Sequence, residues 1–378
     1  MKYDFDAIID RKNTVCEKWD YQGGDYIPMW VADMDFKSPP AILEALHRRV
    51  EHGVFGYTEN KWCLTDTIIS YYKKKCNVDI SPEWIVWVSS LMVGVNIACR
   101  MAKGNILYNV PMYSHIRKLT KEVHEMALEV PLHKEEKDGN LYFTMDFNAM
   151  EEQITDRVKS FVLCNPHNPV GRVYTKPELV EVSRFCKEHD LVLISDEIHS
   201  DLILEGEHIP AFLIDDWARE NSITLTSAAK TYNIASLPTA FAIIPNPELR
   251  KRYLDAAAGL IPTSNPLTIA AFQAAYTECD DWKEELLSYL RTNRDYMEDW
   301  AKKMGIPITH LEGTYLSWMD VHKYGEQDLW KLLRKQAGVN YGNGVDFGEP
   351  GFLRINLACP KSQLMEALKR TEEVLNTL

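Results

Sequence analysis

No run of apolar residues in this 378-residue chain approaches the roughly 18 needed to cross a bilayer, so no membrane segment is expected. Cysteine is sparse: the eight thiols, at 16, 63, 76, 99, 164, 186, 279 and 359, form no C-x-x-C pair. That spacing excludes a disulfide framework and a zinc knuckle, and suits a reducing compartment. Basic residues are in deficit, 42 against 55 acidic, for a formal net charge of −13. The deficit argues against broad contact with nucleic-acid phosphates or anionic membranes. No G-x-G-x-x-G follows an apolar strand and no G-x-x-x-x-G-K-[ST] occurs, which leaves out a Rossmann dehydrogenase and a P-loop NTPase. The opening residues, MKYDFDAIIDRKNT, alternate charged and apolar side chains, so no secretory leader is expected and the cytoplasm is the expected compartment.

What is present is an ordinary globular mixture, 46% apolar and 26% charged, with enough apolar surface for a large core. Short apolar strands alternate with amphipathic helices. Strands are expected at Trp84–Ser89, Asn105–Val110, Ser160–Cys164, Leu191–Ser195, Ser222–Thr226 and Ala240–Ile244, with helices between them. Pro39–Gly53 reads as a helix with proline at its start, glycine at its end, and Ile42, Leu43, Leu46 and Val50 on one face. Continuous apolar strands with helical connections predict an α/β fold whose mostly parallel sheet is covered on both faces. The pattern changes near residue 280, where a long charged helix (Asp281–Met304) precedes short strands at Tyr315–Val321 and Leu353–Leu357. The expected division is a large domain over residues 51–280 and a smaller α/β domain from 1–50 and 281–378.

Ligands of open α/β sheets bind beyond the carboxyl ends of the strands, so the segments after each strand carry the chemistry. Ser89-Ser90-Leu91-Met92 opens a helix whose free N–H groups suit a phosphate, although a serine N-cap explains the same residues. Asn165-Pro166-His167-Asn168-Pro169-Val170-Gly171 follows FVLC as a rigid polar turn. Ser195-Asp196-Glu197-Ile198-His199 follows LVLI, and a buried carboxylate there needs a cation. A metal competes for that segment, since Asp, Glu and His are all ligands, yet no second ligand cluster accompanies it. Ser227-Ala228-Ala229-Lys230 follows SITLT, and a lysine partly desolvated behind two alanines becomes nucleophilic. Together, a phosphate cradle, an asparagine, a buried aspartate and a lysine match the needs of pyridoxal phosphate: Schiff-base formation, a protonated ring nitrogen and an anchored phosphate.

The chain resembles the fold-type I pyridoxal-phosphate enzymes of the class I/II aminotransferase superfamily, in particular the cystathionine β-lyase/C–S lyase branch. The residues carrying the resemblance are WVADMDF at 30–36, Gly56-Tyr57-Thr58, NPHNPVGRVYT, SDEIHSDL, Lys230-Thr231-Tyr232-Asn233 and Phe352-Leu353-Arg354-Ile355-Asn356, nearly end to end. It implies that Lys230 is the Schiff-base lysine and proton shuttle, with Asp196 on the ring nitrogen and Asn168 and His199 near the phenolic oxygen. It further implies Tyr113 stacked on the ring, Ser227 with the amides of Ser90, Leu91 and Met92 on the phosphate, and Arg354 on the substrate carboxylate beside Trp30 and Ala32. Tyr57 would reach the neighbouring subunit's phosphate, which implies a homodimer. The chain departs from the pattern at SSLMVG, which lacks a glycine in the phosphate loop, at Ala229 in place of serine, and at Pro238 where many relatives have arginine. These departures imply a less polar phosphate cup. The implied activity is β-elimination from a cysteine S-conjugate such as cystathionine, with amino-acid transamination, or a pyridoxal-binding regulatory role without catalysis, as alternatives.

Overall fold

The computed structural model describes residues 2–21, 26–59, 64–123, 125–137, 139–325 and 328–378. Cys63, one of the eight cysteines, and His124 lie outside them. Among the described residues, fourteen strands form two seven-stranded sheets. The first contains β2 (Ile85–Val88), β3 (Asn105–Val110), β4 (Ala127–Pro131), β7 (Val158–Cys164), β8 (Val192–Asp196), β9 (Ser222–Thr226) and β10 (Ala240–Ile243). Its spatial order is β2-β10-β9-β8-β7-β3-β4. Only β10 runs against its neighbours, so the other six strands end on one edge of the sheet.

Period-two alternation sorts the side chains of these strands into two cores. Val162, Cys164 and Ile194 pack with the helix Leu91–Ala102 on one face, while Phe161, Leu163 and Leu193 pack with the helix Lys176–Glu188 on the other. Both faces are therefore buried, which is why these strands read as unbroken apolar runs. Gly94 lets the helix Leu91–Ala102 lie close to the sheet, since a Cβ there would sit 2.6 Å from Leu225 Cδ2.

The second sheet has the order β1-β13-β14-β12-β11-β6-β5. It joins β1 (Ile27–Met29), β5 (His133–Lys137), β6 (Asn140–Thr144), β11 (Ile308–Thr309), β12 (Leu316–Asp320), β13 (Val339–Asn343) and β14 (Phe352–Asn356). The hairpin β5–β6 comes from the middle of the 51–280 stretch yet hydrogen-bonds through β6 to β11. The helix Pro40–His52 also differs from expectation in its buried face. Ile42 and Ala45 are buried, whereas Leu43 and Val50 face outward, because packing against the single helix Pro266–Glu278 covers less than the whole apolar stripe.

His310 braces the second unit. Its Nε2 lies 2.9 Å from Glu205 and its Nδ1 3.1 Å from Glu298, on the helix Asp280–Met304. The hydrogen bond to Glu298 leads in raising the imidazole to about 9, against the opposing effect of burial. A histidine raised above its unfolded value stabilises fully below about pH 6.5, and that contribution is lost as pH rises through 9. His310→Gln is therefore expected to destabilise the protein at pH 6 by about 1 kcal/mol, given its partial exposure. The difference from wild type in thermal unfolding should vanish near pH 10, about one unit above the folded value.

Candidate active site

The shared edge of the first sheet brings together the segments after β2, β3, β7, β8 and β9. Lys230 sits four residues beyond β9, in a turn anchored by the fully buried Ala228. Its Nζ donates to the carbonyl of Ala32 at 2.7 Å. Burial lowers the amine to about 8, opposed by the charges of Asp33 and Asp196 and assisted by Arg354.

Asp196 closes β8 and is only 2% exposed; Oδ1 accepts the Ile198 N–H at 3.1 Å. Burial raises this carboxyl to about 7. His199, also buried, meets the ring of Tyr315 edge-on at 5.9 Å, and its Nδ1 has no hydrogen-bond partner. Burial keeps its imidazole well below the usual value and hence neutral.

Arg354 projects from β14 of the second sheet. Its guanidinium donates to Asn168 Oδ1 at 3.0 Å and to the Trp30 carbonyl at 2.6 Å, and lies 4.5 Å from the Phe347 ring centroid. Among the described residues it forms no ion pair, and its buried Nε has no partner. Burial lowers it to about 10, so the cation is poised to receive an anion.

Tyr113 precedes the helix Ser114–Glu122 and stacks on His115, with centroids 4.9 Å apart. Burial pushes its phenol up to about 12, so the hydroxyl stays protonated at neutral pH. His167 holds the turn before Tyr113 through Nε2 to the Pro111 carbonyl at 2.8 Å, and its Nδ1 meets the Tyr174 hydroxyl at 2.9 Å. That is a structural role.

The segment 30–36 threads between the sheets and is pinned by side chains. Asn356 Nδ2 donates to the carbonyls of Val31 and Asp33, and the Tyr315 hydroxyl donates to Ala32. Asn233 bonds the backbone of Met34 and Phe36. Lys230, Arg354, Tyr113, Trp30 and Ala32 thus line one cavity of about 960 Å³. Asp196, Asn168 and His199 adjoin it: Asn168 through Arg354, the other two through their electrostatic coupling to Lys230.

At the foot of the site, Ser90 is the N-cap of the helix Leu91–Ala102, its Oγ accepting the Val93 N–H at 3.3 Å. The amides of Leu91 and Met92 head that helix without intrahelical partners and can face an anion. Ser227 donates to the Thr239 carbonyl at 2.8 Å and accepts the Ala229 N–H, so gripping a phosphate would require its hydroxyl to turn. Tyr57 is fully exposed and stands outside the cavity of its own chain. Its neighbour Thr58 bonds the Ser264 carbonyl, and Ser264 Oγ donates to Thr239.

Sequence reasoning missed Tyr315, Asp33, Arg11 and Glu17, of which the last three line the cavity. Asp33 stood within a quoted motif, and its alternation with Asp35 was the available signal. The competing metal site does not assemble. Glu197 turns away to His208, Ser195 and the Ala211 N–H. Among the described residues the one grouping with converging ligand atoms is Glu151, Glu188 and His189, apart from this segment.

The residues fit pyridoxal phosphate. The orphaned Nδ1 of His199 and the buried, nearly donor-free Asp196 call for polar partners that the protein itself does not supply. Fold and pocket define the fold-type I architecture: a mostly parallel sheet presenting a desolvated lysine, a buried acid and an arginine from a second sheet to one cavity. The profile of "Aminotransferase class I and II" matches residues 25–370, and the chain belongs to that family. It is 33% identical to cystathionine β-lyase PatB of Bacillus subtilis (strain 168), over 98% of this chain and 100% of that one. It is 32% identical to protein MalY of Escherichia coli (strain K12), over 96% of each. The crystal structure of cystalysin from Treponema denticola, which contains a pyridoxal 5′-phosphate cofactor, superposes with a TM-score of 0.93 at 32% identity, covering both chains completely.

Proposed function

We propose that this protein is a pyridoxal-phosphate-dependent carbon–sulfur β-lyase that cleaves cystathionine or another cysteine S-conjugate to pyruvate, ammonia and a thiol. The observation that carries the reading is the convergence of Lys230, Asp196 and the ion-pair-free Arg354 on one cavity, in a chain alike over its whole length to a cystathionine β-lyase. Arg354, with Asn168 beside it, holds the substrate's α-carboxylate. Pyridoxal phosphate, when bound, supplies a protonated ring that accepts the electron pair left at Cα. Asp196 would hold the proton at the ring nitrogen, Tyr113 would pack on the ring, and neutral His199 with Asn168 would meet its phenolic oxygen. The amides of Ser90, Leu91 and Met92 would hold the phosphate, joined by Ser227 once its hydroxyl turns from the Thr239 carbonyl. Lys230 removes the Cα proton through Nζ, since an amine near 8 is partly unprotonated at neutral pH.

The same reading takes the protein as a cytoplasmic homodimer in which Tyr57 serves the neighbouring site. Val54, Phe55 and Tyr57 form an exposed apolar stretch that a second copy would cover. Among the described residues no helix is long and apolar enough to cross a membrane. The same reading divides the chain into a large domain over 51–280 and a smaller one from 1–50 and 281–378; the two separate sheets support it, and the pairing of residues 133–144 with the second sheet speaks against it.

The purified holoenzyme with cystathionine is expected to release pyruvate without any added keto acid. Dependence on a keto acid, with no pyruvate from the thioether, would establish an aminotransferase instead. Cofactor binding without turnover in either assay would leave a binding protein.

A further inference from the structure

The N-terminal segment carries a buried charge cluster that the proposed chemistry does not use. The Lys18 side chain is 1% exposed, and its Nζ lies 2.7 Å from Asp35 Oδ2 and 3.6 Å from Asp33 Oδ1. Arg11 spans the same two carboxylates, 2.7 Å from Asp35 and 2.6 Å from Asp33. Trp19 Nε1 and Gln363 Nε2 complete the shell of Asp35. Burial opposes ionisation of Asp35, but Lys18 and Arg11 hold it below the usual carboxylate range. Two cations and two anions cancel here, so the cluster projects little net charge. Its desolvation is costly, which makes positioning a better reason for it than stability.

What it positions is the short helix Glu17–Asp20. With Lys18 anchored inward, the adjacent Glu17 lies on the wall of the cavity that holds Lys230 and Arg354. Glu17 forms no hydrogen bond or ion pair among the described residues. Its negative charge nevertheless reaches the reaction centre, raising the proton affinity of both Lys230 and Tyr113. Asp346 lines the same cavity, and besides Lys230 and Arg354 the one cation of the lining without an ion pair among the described residues is Lys118. The substrate's α-carboxylate is already met by Arg354, whose charge partners include Asp346 but not Glu17, so Glu17 is left to face whatever the sulfur carries.

We propose that Glu17 is a specificity-determining residue whose carboxylate receives a cationic group at the far end of the substrate's sulfur substituent. The assignment rests on the lyase reading above and adds to it the residue that meets the far end of the sulfur substituent. Exposure of Glu17 to solvent keeps its contribution moderate, and salt screens it.

Two conjugates of nearly equal length separate charge from size, S-(2-aminoethyl)-L-cysteine and S-propyl-L-cysteine. The wild-type holoenzyme is expected to prefer the first, and Glu17→Gln to lower the ratio of their kcat/KM values by about fivefold. Raising ionic strength should lower the ratio in the wild type and leave it constant in Glu17→Gln, a comparison that a folding defect does not mimic. A ratio unchanged by the substitution and insensitive to salt in the wild type overturns the assignment. If the wild type releases pyruvate neither from these conjugates nor from cystathionine, the lyase reading fails. Titrating each conjugate against the visible absorption of the bound cofactor still decides the role of Glu17, by the same comparison of affinities.

Discussion

Lys230→Ala is expected to lower pyruvate release by on the order of 10⁴-fold, the upper range for loss of a positioned proton-transfer group. The amine lies 2.7 Å from the Ala32 carbonyl, and burial lowers it to about 8. It is thus fixed by a backbone oxygen and partly unprotonated where it is needed. Alanine removes both the base and the attachment point while vacating little core, since Lys230 itself is only partly buried. Pyruvate release and mass spectrometry after borohydride reduction are the two readouts. The wild type should gain a fixed cofactor on Lys230 and the variant none. Turnover within tenfold of wild type would remove Lys230 from the mechanism.

Asp196→Asn should preserve the shape of the site and lower turnover by about 10²- to 10³-fold, the range for losing one preorganised electrostatic partner. Its signature is a pH effect. In the cofactor-free protein burial raises this carboxyl to about 7, above its unfolded value near 3.8. A carboxyl raised on folding favours the folded state while protonated, so that contribution is present below about pH 4 and lost as pH climbs to 7. A protonated ring nitrogen beside it would keep the carboxylate ionised at no such cost. The difference in unfolding temperature between loaded and cofactor-free protein should therefore widen from pH 5 to 7.5, across the titration of Asp196. In Asp196→Asn it should be nearly flat. An equal slope in both proteins would mean that Asp196 does not meet a cation.

The first sheet was legible because its strands are covered on both faces and show as unbroken apolar runs with turn residues behind them. Asn105–Val110 and Ser222–Thr226 occur as expected to the residue, and β7 and β8 within two. The second sheet was only partly legible. All five residues of β5, HKEEK, are exposed, and β11 has two residues, so neither carries a hydrophobic pattern to read. β5 meets β6 in a local hairpin, but the pairing of β6 with β11 joins distant segments of the chain. The expected helix Pro39–Gly53 shows the same limit, since periodicity located the helix but not which apolar residues a neighbour would cover.

By itself the sequence determined the fold class and the identity of the reactive groups, because apolar strands, the turns that end them and the lysine, aspartate and asparagine they carry are all local. Tertiary structure alone decided that Arg354 of the second sheet meets Asn168 behind the first, and that the carbonyls of Trp30 and Ala32 accept from Arg354 and Lys230 respectively. It also set the proton affinities of Lys230 and Asp196 and turned Glu17 toward the cavity. Burial and electrostatic coupling arise between segments hundreds of residues apart, and no local pattern of residues records them.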